Sequence, residues 1–127
     1  MRLAVLAGLV LAALVTPASA AAQGRLITVR MVDVSATEFK FEPAAVDATP
    51  GDTVRFVQTT ATPHNVEFRD MPAGTNLGAA RMGTFLIVSG QTYDVVIDRR
   101  FAAGVHKYVC TPHESMGMLG QVTVAAN

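Results

Sequence analysis

The chain has a single cysteine, Cys110, and no Cys-x-x-Cys pair. That excludes an internal disulfide and leaves a structural zinc knot without its ligands. Past the first twenty residues no stretch shows helical periodicity of useful length, and no strand–helix alternation is visible, so a parallel α/β sheet is excluded. No basic run occurs, and ten Lys and Arg balance ten Asp and Glu, which leaves nothing for a nucleic acid to bind and little field to steer a partner from afar. Long hydrophobic runs are also missing. The longest, Leu3 to Val15, falls short of the about 20 residues that a spanning helix needs.

That run has the layout of a secretory signal. Met1-Arg2 is a short positive start, and Ala18-Ser19-Ala20 is a small-residue cleavage site. We read residues 1–20 as a signal peptide cleaved after Ala20, with a cut after Ala22 as the alternative, and residues 21–127 as one domain large enough for a real core. Losing Arg2 leaves nine basic residues against ten acidic, a formal charge of −1. A lone thiol in an exported protein is a liability unless it is buried, modified or metal-bound.

The rest consists of short apolar or alternating runs separated by Gly, Pro, Asn and Asp. Strands are expected at Ile27 to Val34, around Phe39 and Phe41 with a continuation at Ala45 to Ala48, and at Thr53 to Gln58 after the Pro50-Gly51-Asp52 turn. Further strands are expected at Val66 to Phe68, Gly104 to Cys110 and Gly120 to Ala125. Phe85 to Val88 and Thr92 to Asp98 flank Ser89-Gly90 and read as a hairpin, while Met71 to Gly83 is irregular with room for one helical turn. Seven or eight short strands at this spacing predict an all-β sandwich or barrel.

The chemistry concentrates in Cys110-Thr111-Pro112-His113-Glu114-Ser115-Met116-Gly117-Met118. A thiolate, an imidazole and thioethers on one short loop suit copper, since soft sulfur ligands select it over harder metals. Two histidines, one cysteine and a weak axial methionine describe a blue-copper electron-transfer site. The loop supplies one histidine, and Pro63-His64-Asn65-Val66 is the source for the second. Each residue also has a plainer reading. Cys110 could be an ordinary buried thiol, and His64 and His113 could be surface histidines. The clustering of all three donor types in so short a loop favours the metal.

These two segments resemble the small blue copper proteins, the cupredoxins, and within them the plastocyanin and pseudoazurin group. Asp70-Met71-Pro72-Ala73-Gly74 is similar to pseudoazurin, and the resemblance runs from about Ile27 to Val124. It implies a Greek-key β-sandwich with copper at one end, cycling between Cu(II) and Cu(I), and His64, Cys110, His113 and a methionine as ligands. A methionine eight residues after the cysteine, as in plastocyanin and pseudoazurin, maps to Met118; the shorter loop of amicyanin would map to Met116. Asn65 resembles the asparagine that ties the two ligand loops together. Pro112 has no N–H to give the Cys110 sulfur. His106 stands where the family has an aromatic residue and is expected to be a hydrogen-bonded core or edge histidine. Val109 replaces the tyrosine that plastocyanin uses as a remote electron entry point. The chain stops soon after its last expected strand, where pseudoazurin carries extra helices.

The function implied is one-electron transfer, without enzymatic turnover, in a periplasm. The partner would be a redox protein such as a cytochrome, a nitrite reductase or another oxidoreductase, docking transiently on a monomer. An apolar ring around His113 is expected from Met71, Pro72, Pro112, Met116 and Leu119. The alternative is a periplasmic copper-handling protein, for which Met71, Met82 and Met116 could capture Cu(I), although no His-rich or Met-rich tail is present. A thiol enzyme built on Cys110 is a third reading, but no residue nearby in sequence would orient its base.

Overall fold

Val54, Phe56 and Gln58 are buried along strand Thr53–Gln58 while Thr53, Arg55 and Val57 are only partly covered, the two-residue period of a strand with one face in a core. The same pattern recurs along the chain in the computed structural model, which describes residues 23–126. The expected signal peptide and both cleavage points lie outside the described residues. Eight strands form: β1 (Leu26–Asp33), β2 (Phe39–Glu42), β3 (Ala45–Ala48), β4 (Thr53–Gln58), β5 (Glu67–Asp70), β6 (Thr92–Val96), β7 (Gly104–Val109) and β8 (Leu119–Val124).

They make two four-stranded sheets, ordered β2-β1-β4-β6 and β3-β8-β7-β5. This is the all-β sandwich expected. After β2 the chain changes sheet at every connection until β7 and β8 close as an antiparallel pair. The crossovers leave one parallel pairing in each sheet, β1 with β4 and β3 with β8.

The core between the sheets is aromatic. Tyr108 of β7 sits edge-on to Phe41 of β2, Phe56 of β4 and Phe68 of β5, with ring centroids 4.9, 5.1 and 5.5 Å away. Edge-to-face pairs at such distances add about 0.5–1.5 kcal/mol each beyond the area they bury. The ring fits because its cross-strand neighbour is Gly120: a Cβ there would lie 2.3 Å from the tyrosine ring.

One expected hairpin does not form. Phe85 to Val88 is not a strand beside β6; only Leu86 pairs, in a single bridge with His64. Side chains take the backbone groups that a ladder would use. Gln91 Oε1 accepts the N–H groups of Ile87 and Val88, and Gln58 Nε2 donates to the Leu86 carbonyl. The strand after the turn also ends at Val96, and β5 begins one residue later than expected, at Glu67. The irregular stretch holds a short 3-10 turn, Gly78–Arg81.

Candidate metal centre

β7 buries His106, Tyr108 and Cys110 on one face, all with no measurable exposure. Cys110 comes just after the strand ends, so the sheet holds its backbone on one side and the loop begins on the other. The loop winds into a 3-10 turn, Thr111–Met116, with Pro112 in its first positions and Gly117 in the left-handed region at its end (φ 84°). It closes on itself: Met118 N–H donates to the His113 carbonyl, and Cys110 N–H donates to the Met118 carbonyl, both at 3.1 Å. His64 is fixed from the other side by two backbone bonds with Leu86.

These constraints bring three donor atoms together. Cys110 Sγ lies 3.5 Å from His64 Nδ1 and 3.5 Å from His113 Nδ1, and the two nitrogens are 3.1 Å apart. Among the described residues this is the cluster whose ligand atoms could hold a metal ion. The triangle suits one. An ion bound at about 2 Å from nitrogen and about 2.3 Å from sulfur would span edges of this length. Without a cation, two facing imidazole nitrogens and a sulfur gain little from such proximity. The donor set is soft and nitrogenous, which favours copper.

Burial pushes the Cys110 thiol upward, against the backbone N–H groups of Asn65 and His113 that favour its thiolate. A bound metal ion overrides that push, because a coordinating thiol is deprotonated. His113 is pushed below the ordinary histidine range, first by burial and then by the neighbouring His64, with Asp33 opposing both. Burial separates the two candidate methionines: Met118 is fully buried under the loop, whereas Met116 is 45% exposed.

Asn65 ties the ligand segments together. Its Nδ2 donates to Thr111 Oγ1 and its Oδ1 accepts the Thr111 N–H, both at 2.8 Å. His106 is the core histidine expected, with Nε2 at 2.8 Å from the Ala102 carbonyl, although its Nδ1 and the Tyr108 hydroxyl are buried without partners among the described residues.

Two residues at the site escaped the sequence reading. Phe39 stacks on His113 with centroids 3.9 Å apart and planes 18° from parallel. Asp33 places Oδ1 2.7 Å from His64 Nε2, while its other oxygen accepts from the Thr62 hydroxyl. The signal for Asp33 was present in the alternation. Val29 and Met31 point inward from β1, so the next residue on that face is an acid at the strand's end. Burial opposes ionisation of Asp33, but Thr62 and His64 hold its carboxyl below the usual range.

The expected apolar ring needs correction. Met71 and Pro72 follow β5, whose antiparallel register with β7 runs from Glu67 opposite Val109 to Asp70 opposite Lys107. They continue away from Cys110, and Pro72 packs against Gly104, six residues or about 20 Å up the strand. Leu119 pairs with Val109 at the head of β8 and lines an outer groove with Ala44, Ala45 and Arg69. Phe39, from the facing sheet, takes the place against His113.

Comparison with known proteins agrees with this geometry. The family described as "Copper binding proteins, plastocyanin/azurin family" matches residues 28–125. Plastocyanin of Prochlorothrix hollandica is 38% identical over 84 residues, 66% of this chain and 62% of that protein, so the matched part spans under two thirds of it. Chloroplastic plastocyanin of Chlamydomonas reinhardtii is 35% identical over 126 residues, 97% of this chain and 81% of that protein. The oxidised plastocyanin of the fern Dryopteris crassirhizoma superposes with a TM-score of 0.62 at 31% identity, covering 76% of this chain and 98% of its own. The chain belongs to the plastocyanin/azurin family of copper-binding proteins.

Proposed function

We propose that this protein is a one-electron carrier, not an enzyme, with a type 1 copper site formed by His64, Cys110 and His113 and with Met118 as the weak axial ligand. The observation that carries the reading is the convergence of one thiol and two imidazole nitrogens within 3.5 Å at the end of a rigid strand. Copper supplies the Cu(II)/Cu(I) couple. The protein supplies a donor set pinned by β7, by the Leu86 bridge and by Asn65, so that little has to move when the charge changes. Family membership supports the same role, and burial supports Met118 over Met116.

His113 is the member of this set that reaches the surface, since His64, Cys110 and Met118 are fully buried. Electrons therefore enter and leave through its exposed edge, beside Pro112 and Met116. A partly apolar surface with Pro112 and Met116 beside the His113 edge suits a brief encounter between a monomer and a redox protein such as a cytochrome, nitrite reductase or other oxidoreductase. The N-terminal segment supports export to a periplasm, with residues 21–127 as the mature domain. No helix among the described residues is long and apolar enough to cross a membrane. Of the three methionines considered for Cu(I) capture, Met71 lies away from Cys110 along the sheet and adds nothing to the copper-handling reading.

The test is to add Cu(II) to the purified mature protein and record visible and electron paramagnetic resonance spectra, with Cys110→Ser as control. The expected result is an intense thiolate-to-copper band and small copper hyperfine splitting, both absent in the variant. Weak colour with ordinary hyperfine splitting would remove Cys110 from the equatorial set and the electron-transfer reading with it.

A further inference from the structure

We propose that Asp33 is a positioning residue of the copper site, which fixes the ring nitrogen that His64 presents and whose charge favours the oxidised ion over the reduced one. The inference rests on the ligand set proposed above.

The geometry begins with a proton. A carboxylate can only accept a hydrogen bond, so the 2.7 Å contact between Asp33 Oδ1 and His64 Nε2 places the ring proton on Nε2. That leaves Nδ1 with a free lone pair, and Nδ1 is the atom that faces Cys110 Sγ and His113 Nδ1. The ring is fully buried, and the Asp33 carboxylate lies between its Nε2 and solvent as the acceptor. Asp33 is itself held: its second oxygen accepts from the Thr62 hydroxyl, and the turn that follows β1 is closed by the N–H groups of Val34 and Ser35 on the Glu38 carbonyl. A carboxylate behind a metal-bound histidine is a general device for fixing the tautomer and raising ligand basicity.

Charge gives the second part. With a thiolate from Cys110 and a carboxylate from Asp33, a doubly charged ion leaves the site neutral and a singly charged ion leaves it at −1. The Asp33 side chain is only 22% exposed, so solvent screens this imbalance incompletely. The reduced state bears the cost. Replacing the carboxylate by an amide of the same shape keeps an acceptor for Nε2–H and removes the charge.

The experiment has a metal-free and a copper-loaded reading. In the metal-free protein, nitrogen-detected NMR should show the His64 proton on Nε2 in slow exchange with water, and Asp33→Ala should abolish that protection. A proton on Nδ1 in the unsubstituted protein would overturn the positioning role whatever copper does. In the loaded protein, Asp33→Asn should keep the blue spectrum and lose about 10–100-fold in Cu(II) affinity. Cu(I) affinity should fall at least tenfold less, which raises the one-electron potential by about 59 mV or more. A potential unchanged or lowered in Asp33→Asn would overturn the charge argument. A missing thiolate band in the unsubstituted protein would instead strike the ligand set, and the metal-free NMR result would still decide the tautomer.

Discussion

Asn65 commits both halves of its amide to Thr111, and its backbone N–H also points at the Cys110 sulfur. Asn65→Ala should therefore cost about 1–2 kcal/mol of unfolding free energy, because the two hydrogen bonds by which a buried amide holds the Cys110 loop are lost. Urea unfolding with an unchanged slope would show it, and a loss near zero would mean that the two loops hold each other by other contacts. Phe39→Ala should cost about 3 kcal/mol by the same assay, since it empties a well-packed site against His113. The residues proposed as ligands stood out in the sequence because their side-chain chemistry is rare and, on the Cys110 loop, their spacing short. Phe39 was legible only as a core residue. Its contact with His113 joins a strand of one sheet to the loop that follows a strand of the other, and no periodicity within β2 encodes it. Met71 and Pro72 misled for the converse reason: a familiar motif was placed near His113 by similarity, whereas strand register carries it away from Cys110 along β7.

At the scale of elements, alternation along β1, β4, β6 and β7 made the strands readable, because one face of each packs on the core. The missing hairpin strand at Phe85 to Val88 shows where that reasoning stops. Its residues have strand propensity, but Phe85, Ile87 and Val88 are all more than half exposed. The Ile87 and Val88 amides are taken by the Gln91 side chain, and propensity has no means of registering that competition. Gln91→Ala should release the Ile87 and Val88 N–H groups, destabilise the protein by about 1 kcal/mol and speed hydrogen exchange at those two amides. Exchange that stays slow would mean the segment is held by Leu86 and His64 alone. Gly120 is a sharper case, since its role depends on the ring opposite. Gly120→Ala should cost about 1–3 kcal/mol, read by thermal unfolding, because the added carbon meets the Tyr108 ring in a filled core.

Across the whole molecule, the ends of the sandwich are tied by carboxylates, and acid should loosen them. Asp52 was legible only as part of a turn, yet it is 2% exposed and accepts from the Arg25 backbone N–H, the Thr49 backbone N–H and the Arg25 guanidinium at 2.7–2.8 Å. It joins the start of β1 to the turn before β4, next to the parallel pairing that starts with Leu26 opposite Thr53. The Arg25 side chain, then the Thr49 backbone, hold its carboxyl far below the usual range, against the push of burial. In the unfolded chain the same group titrates near pH ~4. Its folded value is the lower one, so its stabilisation is complete above that pH and drains away as pH falls toward the folded value. Arg25 is largely solvent-exposed, which discounts the ion-pair share; the bonds from backbone N–H groups to a buried carboxylate are not discounted in that way. Asp52→Asn should lower the unfolding free energy of the metal-free protein by about 2–3 kcal/mol at neutral pH, with the deficit shrinking steadily below pH ~4. Stability curves for the two proteins that stay parallel through the acid range would place the acid sensitivity on other carboxylates, of which Asp94 and Asp98, each held low by an arginine, are the next to test.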